Sequence, residues 1–593
     1  MKVNTLTIGM VGSGGDGVVT SGDMVLGAVA QEGLFALSGK SFGPQIRGGE
    51  SSMRVRISTT PVENTGSGLD YLIVLNWRDY HRFAGELNLA KHGVLLYESD
   101  PKVAQDQVPD KLAGATLVPV PFQKLADEAG ARRAKNILTL GILSALANID
   151  KTRMEQAIVK KFTKKGEDVL NVNQAAFASG YNAAQALRKQ EWPLLAYERG
   201  EPKMIIDGNS AVAAAAVAAG LEFFAGYPIT PSTEVMQWLM VHLPRFGGRV
   251  VQAEDEISAM AMVCGASFAG SKAMTTTSGP GLSLKTELIG MASMAELPAV
   301  IVDVQRGGPS TGLPTKGEQS DLYQALFSAH GDAPRPILAP YDVLSAVQVM
   351  FEAFKLAETY QTPVIVLSDG FLAQGKQVCA LPDLTDKKRY ATAKRKLPTD
   401  EELKAGYKRF KLTPDGISPM AIPGMAGGNY LASGIEHDET GAPFAEAALH
   451  HEMNRKRIQK LEPIRQRSDL TITLGDPDAK DAWIAWGYSV GAAKEALEIL
   501  RKQGKKIKLL VPLLLCPLPT VALHDFLRGV ERLAVIELNY QAQLARYMRM
   551  EIDLPEELSL ICRSGGAVWQ PEELVDRISA EMYSGMTRSD RHA

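Results

Sequence analysis

Short apolar runs recur along the chain. Each is followed by a glycine- or proline-rich turn, and then by residues at helical spacing. Residues 5–11 (TLTIGMV) read as a strand, the loop from Gly12 to Gly17 follows, and the apolar positions from Val18 to Gly33 keep a helix period. Further strand-like runs stand at 71–75 (YLIVL) and 93–97 (GVLLY), and a charged helical stretch covers about 151–190. Glu191 to Pro193, then Arg199 to Pro202, read as a linker.

Beyond the linker an alanine-rich helix at 211–220 precedes a strand ending at Gly226. Runs at 248–252, 273–277, 299–304 and 363–368 continue the alternation with helical patterns between them. Strands alternating with helices predict a parallel sheet covered on both faces. Residues 416–441 break the pattern and read as a long ordered loop or a disordered linker, with a polar helix at 443–467. The alternation then returns: a strand at 482–486, a helix at 490–503, and strands at 506–511 and 532–537. The prediction is an α/β chain with a first domain over 1–195, a doubly wound parallel-sheet domain over 196–390, a linker over 391–468 and a last α/β domain over 469–593.

A length of 593 residues suits three or four domains, as this division requires. Lysine and arginine total 64 against 67 acidic residues, a net charge of −3, which argues against a general electrostatic hold on nucleic acid, although local basic patches stay open. The four cysteines, Cys264, Cys379, Cys516 and Cys562, are too scattered for a CxxC metal or iron–sulfur pair and read as buried thiols in a reducing cytoplasm. The apolar run before Gly12 is too short for a signal peptide, and the stretch 211–220 stops at Glu222, short of the roughly 20 apolar residues a membrane span needs. A cytoplasmic protein without a membrane is expected.

Gly12, Gly14 and Gly17, with Gly15 between, form a glycine loop that permits a tight turn and lets a phosphate approach backbone N–H groups. A nicotinamide site also needs an acid at the end of the second strand. Here that strand, LFALS, ends at Ser38, Gly39 and Lys40, so a dinucleotide is disfavoured. Another phosphate, such as that of coenzyme A, or a turn with no ligand, both remain open. Gly33 to Ser41 fails as an ATP phosphate loop because five residues, not four, separate Gly33 from Gly39. The following loop, from Ser41 through Arg47 to Ser52, is either an anion contact or a solvated connection.

Four turns in the second region carry hydroxyls and charges. In Tyr227, Pro228, Ile229, Thr230, Pro231 the prolines stiffen the chain, with Pro231 predicted at the first helical position and Thr230 as its cap. Glu254, Asp255 and Glu256 end a strand and open a small-residue helix: either dipole-matched acids or, if one is buried, a proton-sharing group. Ser278 and Gly279 follow the run of threonines at 275–277, and Arg306 opens the turn after 299–304. No turn is specific alone. Together, at the carboxyl ends of successive strands, they outline the cleft where open α/β sheets bind ligands.

This constellation resembles the 2-oxoacid:ferredoxin oxidoreductases, specifically their alpha subunits with a gamma domain fused ahead. The first domain, with its Gly12–Gly17 loop and the SFGPQIRGGESS segment, is similar to the gamma domain. YPITPST, EDEISAM, TTTSGPG and the Arg306 turn resemble the domain that covers the thiamine diphosphate pyrimidine, and the end of the chain resembles the transketolase C-terminal domain. GISPMAIPG and GIEHDETG resemble the family's linker, with Met420 where arginine is more usual. The resemblance implies oxidative decarboxylation of a 2-oxoacid with coenzyme A, 2-oxoglutarate being favoured and pyruvate or a broad range of 2-oxoacids the alternative. It implies that Glu256 shares a proton with the aminopyrimidine, that Thr230 and Arg306 meet the substrate, and that Tyr227, Pro228, Ser278 and Gly279 line the cofactor. Gly12, Gly14, Gly15 and Gly17 would take coenzyme A. Mg²⁺ and a [4Fe-4S] cluster are expected on the beta subunit, which would pass electrons to ferredoxin within a dimer of alpha–beta heterodimers. A non-catalytic subunit that only binds coenzyme A or assembles a complex is the other reading. Lys40 and Arg47 are the candidates in this chain for a cation meeting a distal carboxylate.

Overall fold

The strand Thr5–Gly12 is buried along almost its whole length because it lies inside a sheet covered on both faces. This protein is described from a computed structural model over residues 1–43, 50–100, 108, 109, 112 and 114–583. Arg47 lies outside the described residues. The chain forms two compact units, the first built from residues 1–207 with 374–381 and 570–573.

In that first unit a mixed sheet runs in the order Thr116–Val120, Leu89–Glu98, Leu69–Val74, Thr5–Gly12, Ser51–Ser58, Phe35–Phe42, Lys376–Cys379, Met204–Asp207. The first four strands are parallel and the rest antiparallel. The helix Val18–Gln31 follows the glycine loop as its spacing predicts. The helix Lys135–Ala147 is buried nearly all round, so it carries no polar face to mark a period. It meets the helix Glu167–Leu187 through glycines: a Cβ at Gly141 would stand 2.1 Å from the Phe177 carbonyl, and one at Gly180 would stand 2.0 Å from that of Leu138.

The second unit carries two sheets. The larger runs Arg249–Gln252, Phe223–Gly226, Ala273–Thr277, Ala299–Gln305, Pro363–Asp369, Ile337–Leu338, Leu514–Cys516, parallel except at the last pair. The smaller contains Asp481–Ala485, Ile507–Pro512, Arg532–Glu537 and Glu557–Cys562 in parallel, with Thr471–Gly475 antiparallel at one edge. Gln319 joins them: its side chain donates to the Trp486 carbonyl (2.7 Å) and accepts from Leu538 N–H (2.9 Å).

The segment 416–441 holds no helix and no ladder strand, yet it is packed. Tyr407 Oη donates to the Pro419 carbonyl and accepts from Ala421 N–H, and Gln361 donates to the Ser418 carbonyl. Met420 is fully buried, with its sulfur 3.9 Å from Arg395 Nη1. The polar helix expected at 443–467 is two pieces, Ala447–Gln459 and Glu462–Arg465, because Pro463 cannot continue the first and suits the start of a second. Glu296 lies fully buried beneath this segment and is paired with Lys456 and Lys460.

Candidate active site

Strands Arg249–Gln252, Phe223–Gly226, Ala273–Thr277 and Ala299–Gln305 are adjacent and parallel, so the turns after them share one edge of the sheet. That edge brings together the four turns singled out in the sequence.

The acidic turn separates its three carboxylates. Glu254 and Asp255 are exposed, and Glu256 is 7% exposed. Asp255 caps the helix Glu256–Phe268: its carboxylate accepts from Ser258 N–H (2.7 Å), and Ser258 Oγ accepts from Asp255 N–H (3.1 Å). With the cap filled, Glu256 takes the first helical position and turns inward toward the residues after Thr277. A Cβ on Gly281 would come 2.1 Å from Thr277 Oγ1 and 2.9 Å from Glu256 Cγ, so glycine is required there. Lys285, fully buried on the helix Gly279–Met294, donates to the Glu256 carbonyl (2.9 Å). Burial pulls its ammonium down to about 8, against the pull of Glu256 and Asp255.

Arg306 is also buried, and its Nη1 donates to the Thr230 carbonyl (2.7 Å). Thr230 does not cap the next helix. Ser232 holds that position, because a tight turn closes first from Ser232 N–H to the Ile229 carbonyl (2.8 Å), and the helix runs Thr233–His242. Pro231 therefore precedes the helix instead of opening it. Burial lowers the Arg306 proton affinity, while Asp321 and then Asp303 raise it. Arg306, Gly279, Glu318, Asp321, Tyr540 and Gln543 line a cavity of about 530 Å³.

An aminopyrimidine fits this edge. Glu256 offers an inward carboxyl, Ser278 Oγ is buried with no protein partner, and Tyr227 leaves its ring partly exposed beside the half-buried Pro228. Gly279 has no room for a side chain because Asp321 Oδ2 would lie 2.8 Å from its Cβ.

In the first unit the glycine loop is held by its own Asp16 and by Asp79 of the helix Trp77–Phe83. Asp16 accepts from Ser13 N–H (2.8 Å), and Ser13 Oγ donates to Asp79, which also accepts from Asn76. Gly15 has φ +99° and Gly17 φ +74°, and a Cβ at Gly17 would meet Asn136 Nδ2 at 2.5 Å. Gly12 is buried against Asp16, while Gly14 and Gly15 are exposed. Lys40 lies half-buried in the strand Phe35–Phe42.

Asp303, Asp321, Glu318 and Lys285 were not singled out by sequence reasoning. Asp303 interrupts the apolar run AVIVDVQ, and Lys285 shares the buried face of its helix with Leu282 and Ile289 at helical spacing. A charge on an apolar stripe was the available signal.

Residues 214–456 match the family described as pyruvate flavodoxin/ferredoxin oxidoreductase, thiamine diphosphate-binding. Residues 7–183 match pyruvate ferredoxin/flavodoxin oxidoreductase, and 479–574 match pyruvate:ferredoxin oxidoreductase core domain II. The chain belongs to the 2-oxoacid:ferredoxin oxidoreductase alpha subunits. It is 30% identical to 2-oxoacid:ferredoxin oxidoreductase 2, subunit alpha, of Aeropyrum pernix over 95% of each chain. It is 31% identical to the 2-oxoglutarate oxidoreductase subunit KorA of Mycobacterium tuberculosis over 92% of this chain and 87% of that one. Among solved structures it resembles the 2-oxoglutarate:ferredoxin oxidoreductase of Magnetococcus marinus, determined with 2-oxoglutarate, coenzyme A and succinyl-CoA bound, at 39% identity and a TM-score of 0.92, covering 98% of this chain and 100% of that one. Among the described residues no helix is long and apolar enough to cross a membrane.

Proposed function

We propose that this chain is the alpha subunit of a cytoplasmic 2-oxoglutarate:ferredoxin oxidoreductase. The reaction takes 2-oxoglutarate and coenzyme A to succinyl-CoA and CO₂ and releases two electrons. Those electrons leave through a [4Fe-4S] cluster on a beta subunit to ferredoxin, and the beta subunit also supplies the Mg²⁺ and diphosphate site. Two alpha–beta pairs form the assembly. The observation that carries the reading is Glu256: of three consecutive acids, it alone turns inward at the sheet edge that also bears Arg306 and Ser278.

Thiamine diphosphate, when bound, supplies the nucleophilic carbon and the electron sink that a 2-oxoacid decarboxylation needs. Glu256 would share a proton with the ring nitrogen of its aminopyrimidine, and the Lys285 bond to the Glu256 carbonyl fixes the backbone from which that side chain projects. Ser278 would offer it a hydroxyl, Gly279 would leave its approach open, and Tyr227 and Pro228 would line it. Arg306, pinned by the Thr230 carbonyl, presents its remaining N–H groups to the carboxylate next to the ketone. The loop Gly12–Gly17, through the exposed Gly14 and Gly15, binds coenzyme A. A second cation, from Lys40, Arg47 or the beta subunit, meets the distal carboxylate.

Co-expression with the partner subunit, followed by an assay of 2-oxoacid- and coenzyme A-dependent viologen reduction, tests the reading. Reduction that needs both compounds is expected, and a complex that binds coenzyme A without any 2-oxoacid-dependent reduction would leave only the assembly role.

A further inference from the structure

The strand Arg532–Glu537 passes into the helix Gln543–Glu551 through a turn over 538–542 that is clamped from both sides. Leu538 N–H donates to Gln319 Oε1 (2.9 Å), and Asn539 Nδ2 donates to the Gln319 carbonyl (3.1 Å) and to Glu537 Oε2 (2.8 Å). Gln543 N–H donates to Asn539 Oδ1 (3.2 Å). The Gln543 amide is engaged at both ends: Nε2 donates to the Ser320 carbonyl (2.8 Å), and Oε1 accepts from Tyr323 N–H (3.1 Å). Leu538, Asn539 and Ala542 are buried. Ala542 has φ +51°, a left-handed conformation that alanine rarely adopts and that persists where the surroundings over-determine it.

Out of this turn stands Tyr540, 85% exposed. A ring left in water contributes nothing to the core, and the clamped turn gives it no way to fold inward. Tyr540 lines the same cavity as Arg306, and a lining residue this exposed stands at the cavity's mouth. Of the groups that line the cavity, Arg306 Nε and Ser320 Oγ are buried without a protein partner, which leaves polar capacity for a ligand. Arg306 is the one cation among the described lining residues, and Glu318 and Asp321 line the cavity too. Glu318 is held there, because its Oε1 accepts from Gly565 N–H (2.6 Å). One ligand carboxylate is matched by Arg306. A second is repelled by the acids, so it belongs at the mouth, beside the phenol.

We propose that Tyr540 is a specificity-determining residue for the 2-oxoacid: its phenol O–H donates to the far carboxylate of a dicarboxylic substrate whose near carboxylate sits on Arg306. The phenol is a neutral donor. It orients the far carboxylate, while the counter-charge comes from a separate cation. The clamped turn holds the ring's position before the substrate arrives, so little freedom is lost on binding. A monocarboxylic 2-oxoacid has no group to receive this bond. The inference rests on the reading of the chain as a 2-oxoglutarate enzyme with Arg306 as its carboxylate-binding group.

The test uses the alpha–beta complex, wild type and Tyr540→Phe, which keeps the ring and removes the donor. At saturating coenzyme A, kcat/KM is measured for 2-oxoglutarate and for 2-oxopentanoate, which has the same carbon chain but no distal carboxylate. Where turnover of 2-oxopentanoate is too slow to follow, its inhibition constant takes the place of its kcat/KM. The preference for 2-oxoglutarate over 2-oxopentanoate should fall about 10-fold or more in Tyr540→Phe, the scale of losing a hydrogen bond to a charged group. An unchanged preference overturns the proposal. An equal loss on both acids also overturns it, because the phenol would then serve something other than the distal carboxylate. A wild-type complex that turns over pyruvate but not 2-oxoglutarate overturns the substrate reading, and this proposal with it. A complex that uses 2-oxoglutarate and keeps its preference in Tyr540→Phe overturns this proposal alone.

Discussion

Arg306 Nη1 donates to the carbonyl oxygen of Thr230 across 2.7 Å, joining the turns after two strands that are not neighbours in the sheet. The strand Ala273–Thr277 runs between them. The bond ties the turn after Ala299–Gln305 to the turn after Phe223–Gly226 on the edge that also carries the buried Glu256.

Arg306→Lys keeps the charge but loses the forked geometry and one of the two duties of the guanidinium. A hydrogen bond to a charged group contributes about 1.5–3 kcal/mol, so kcat/KM for the 2-oxoacid should fall roughly 10- to 150-fold. The KM for coenzyme A should stay near the wild-type value. Initial rates with each substrate varied in turn check this, and an equal rise in both KM values would point to a general distortion instead.

Glu256→Gln retains a hydrogen-bonding side chain at the buried first position of its helix but cannot share a proton. Turnover should drop by about 10²-fold or more, the scale of general acid–base effects, while the complex still assembles and binds thiamine diphosphate. Glu254→Gln, on an exposed neighbour, should behave as wild type. Near-normal turnover in Glu256→Gln would remove the central residue from the mechanism.

What was legible in the sequence follows from where each signal is written. The four turns could be located because a parallel sheet repeats one motif, apolar strand then polar turn, and the turns must collect on one edge. Which acid of Glu254, Asp255 and Glu256 turns inward was not legible, because it depends on Asp255 filling the cap through Ser258. The helix Lys135–Ala147 escaped notice because burial on all sides erases the polar face that reveals a helix period. Thr230 was misplaced by two residues because threonine before proline is an ordinary helix start, and the Ile229–Ser232 turn that delays the helix has no distinctive composition.

Glu296 gives a stability prediction with a definite sign. Burial alone would raise its carboxyl, but Lys456, Lys460 and Arg409 outweigh that and hold it well below the usual range. A depressed carboxylate contributes stability that is fully present above the unfolded value, near 4.3, and is lost as pH falls through the lower folded value. Acid unfolding should therefore be shifted to higher pH in Glu296→Gln. At neutral pH that variant leaves buried cations without their counter-ion, a cost of about 3–5 kcal/mol, read as a lowered Tm. Adding Lys456→Met and Lys460→Met should recover part of the loss, since both ammonium groups point at Glu296. A Tm unchanged by Glu296→Gln would show that the cluster does not hold the 409–460 segment in place.

Substrate choice can be decided by charge. A distal carboxylate left unpaired in a buried site is disfavoured by several kcal/mol, so an enzyme that uses 2-oxoglutarate needs a cation besides Arg306, and one that uses pyruvate does not. Lys40 is the candidate within the described residues, and Arg47 the one outside them. The reconstituted complex should show higher kcat/KM for 2-oxoglutarate than for pyruvate. If Lys40 supplies the cation, Lys40→Met should reduce the efficiency with 2-oxoglutarate by 10-fold or more, the rough scale of a buried charge left without its partner, and leave pyruvate nearly untouched. Arg47→Met tests the second candidate in the same way. If neither variant changes the ratio while 2-oxoglutarate stays preferred, the cation belongs to the beta subunit. Equal or higher efficiency on pyruvate in the wild type would overturn the substrate assignment, while the 2-oxoacid chemistry at Glu256 would stand.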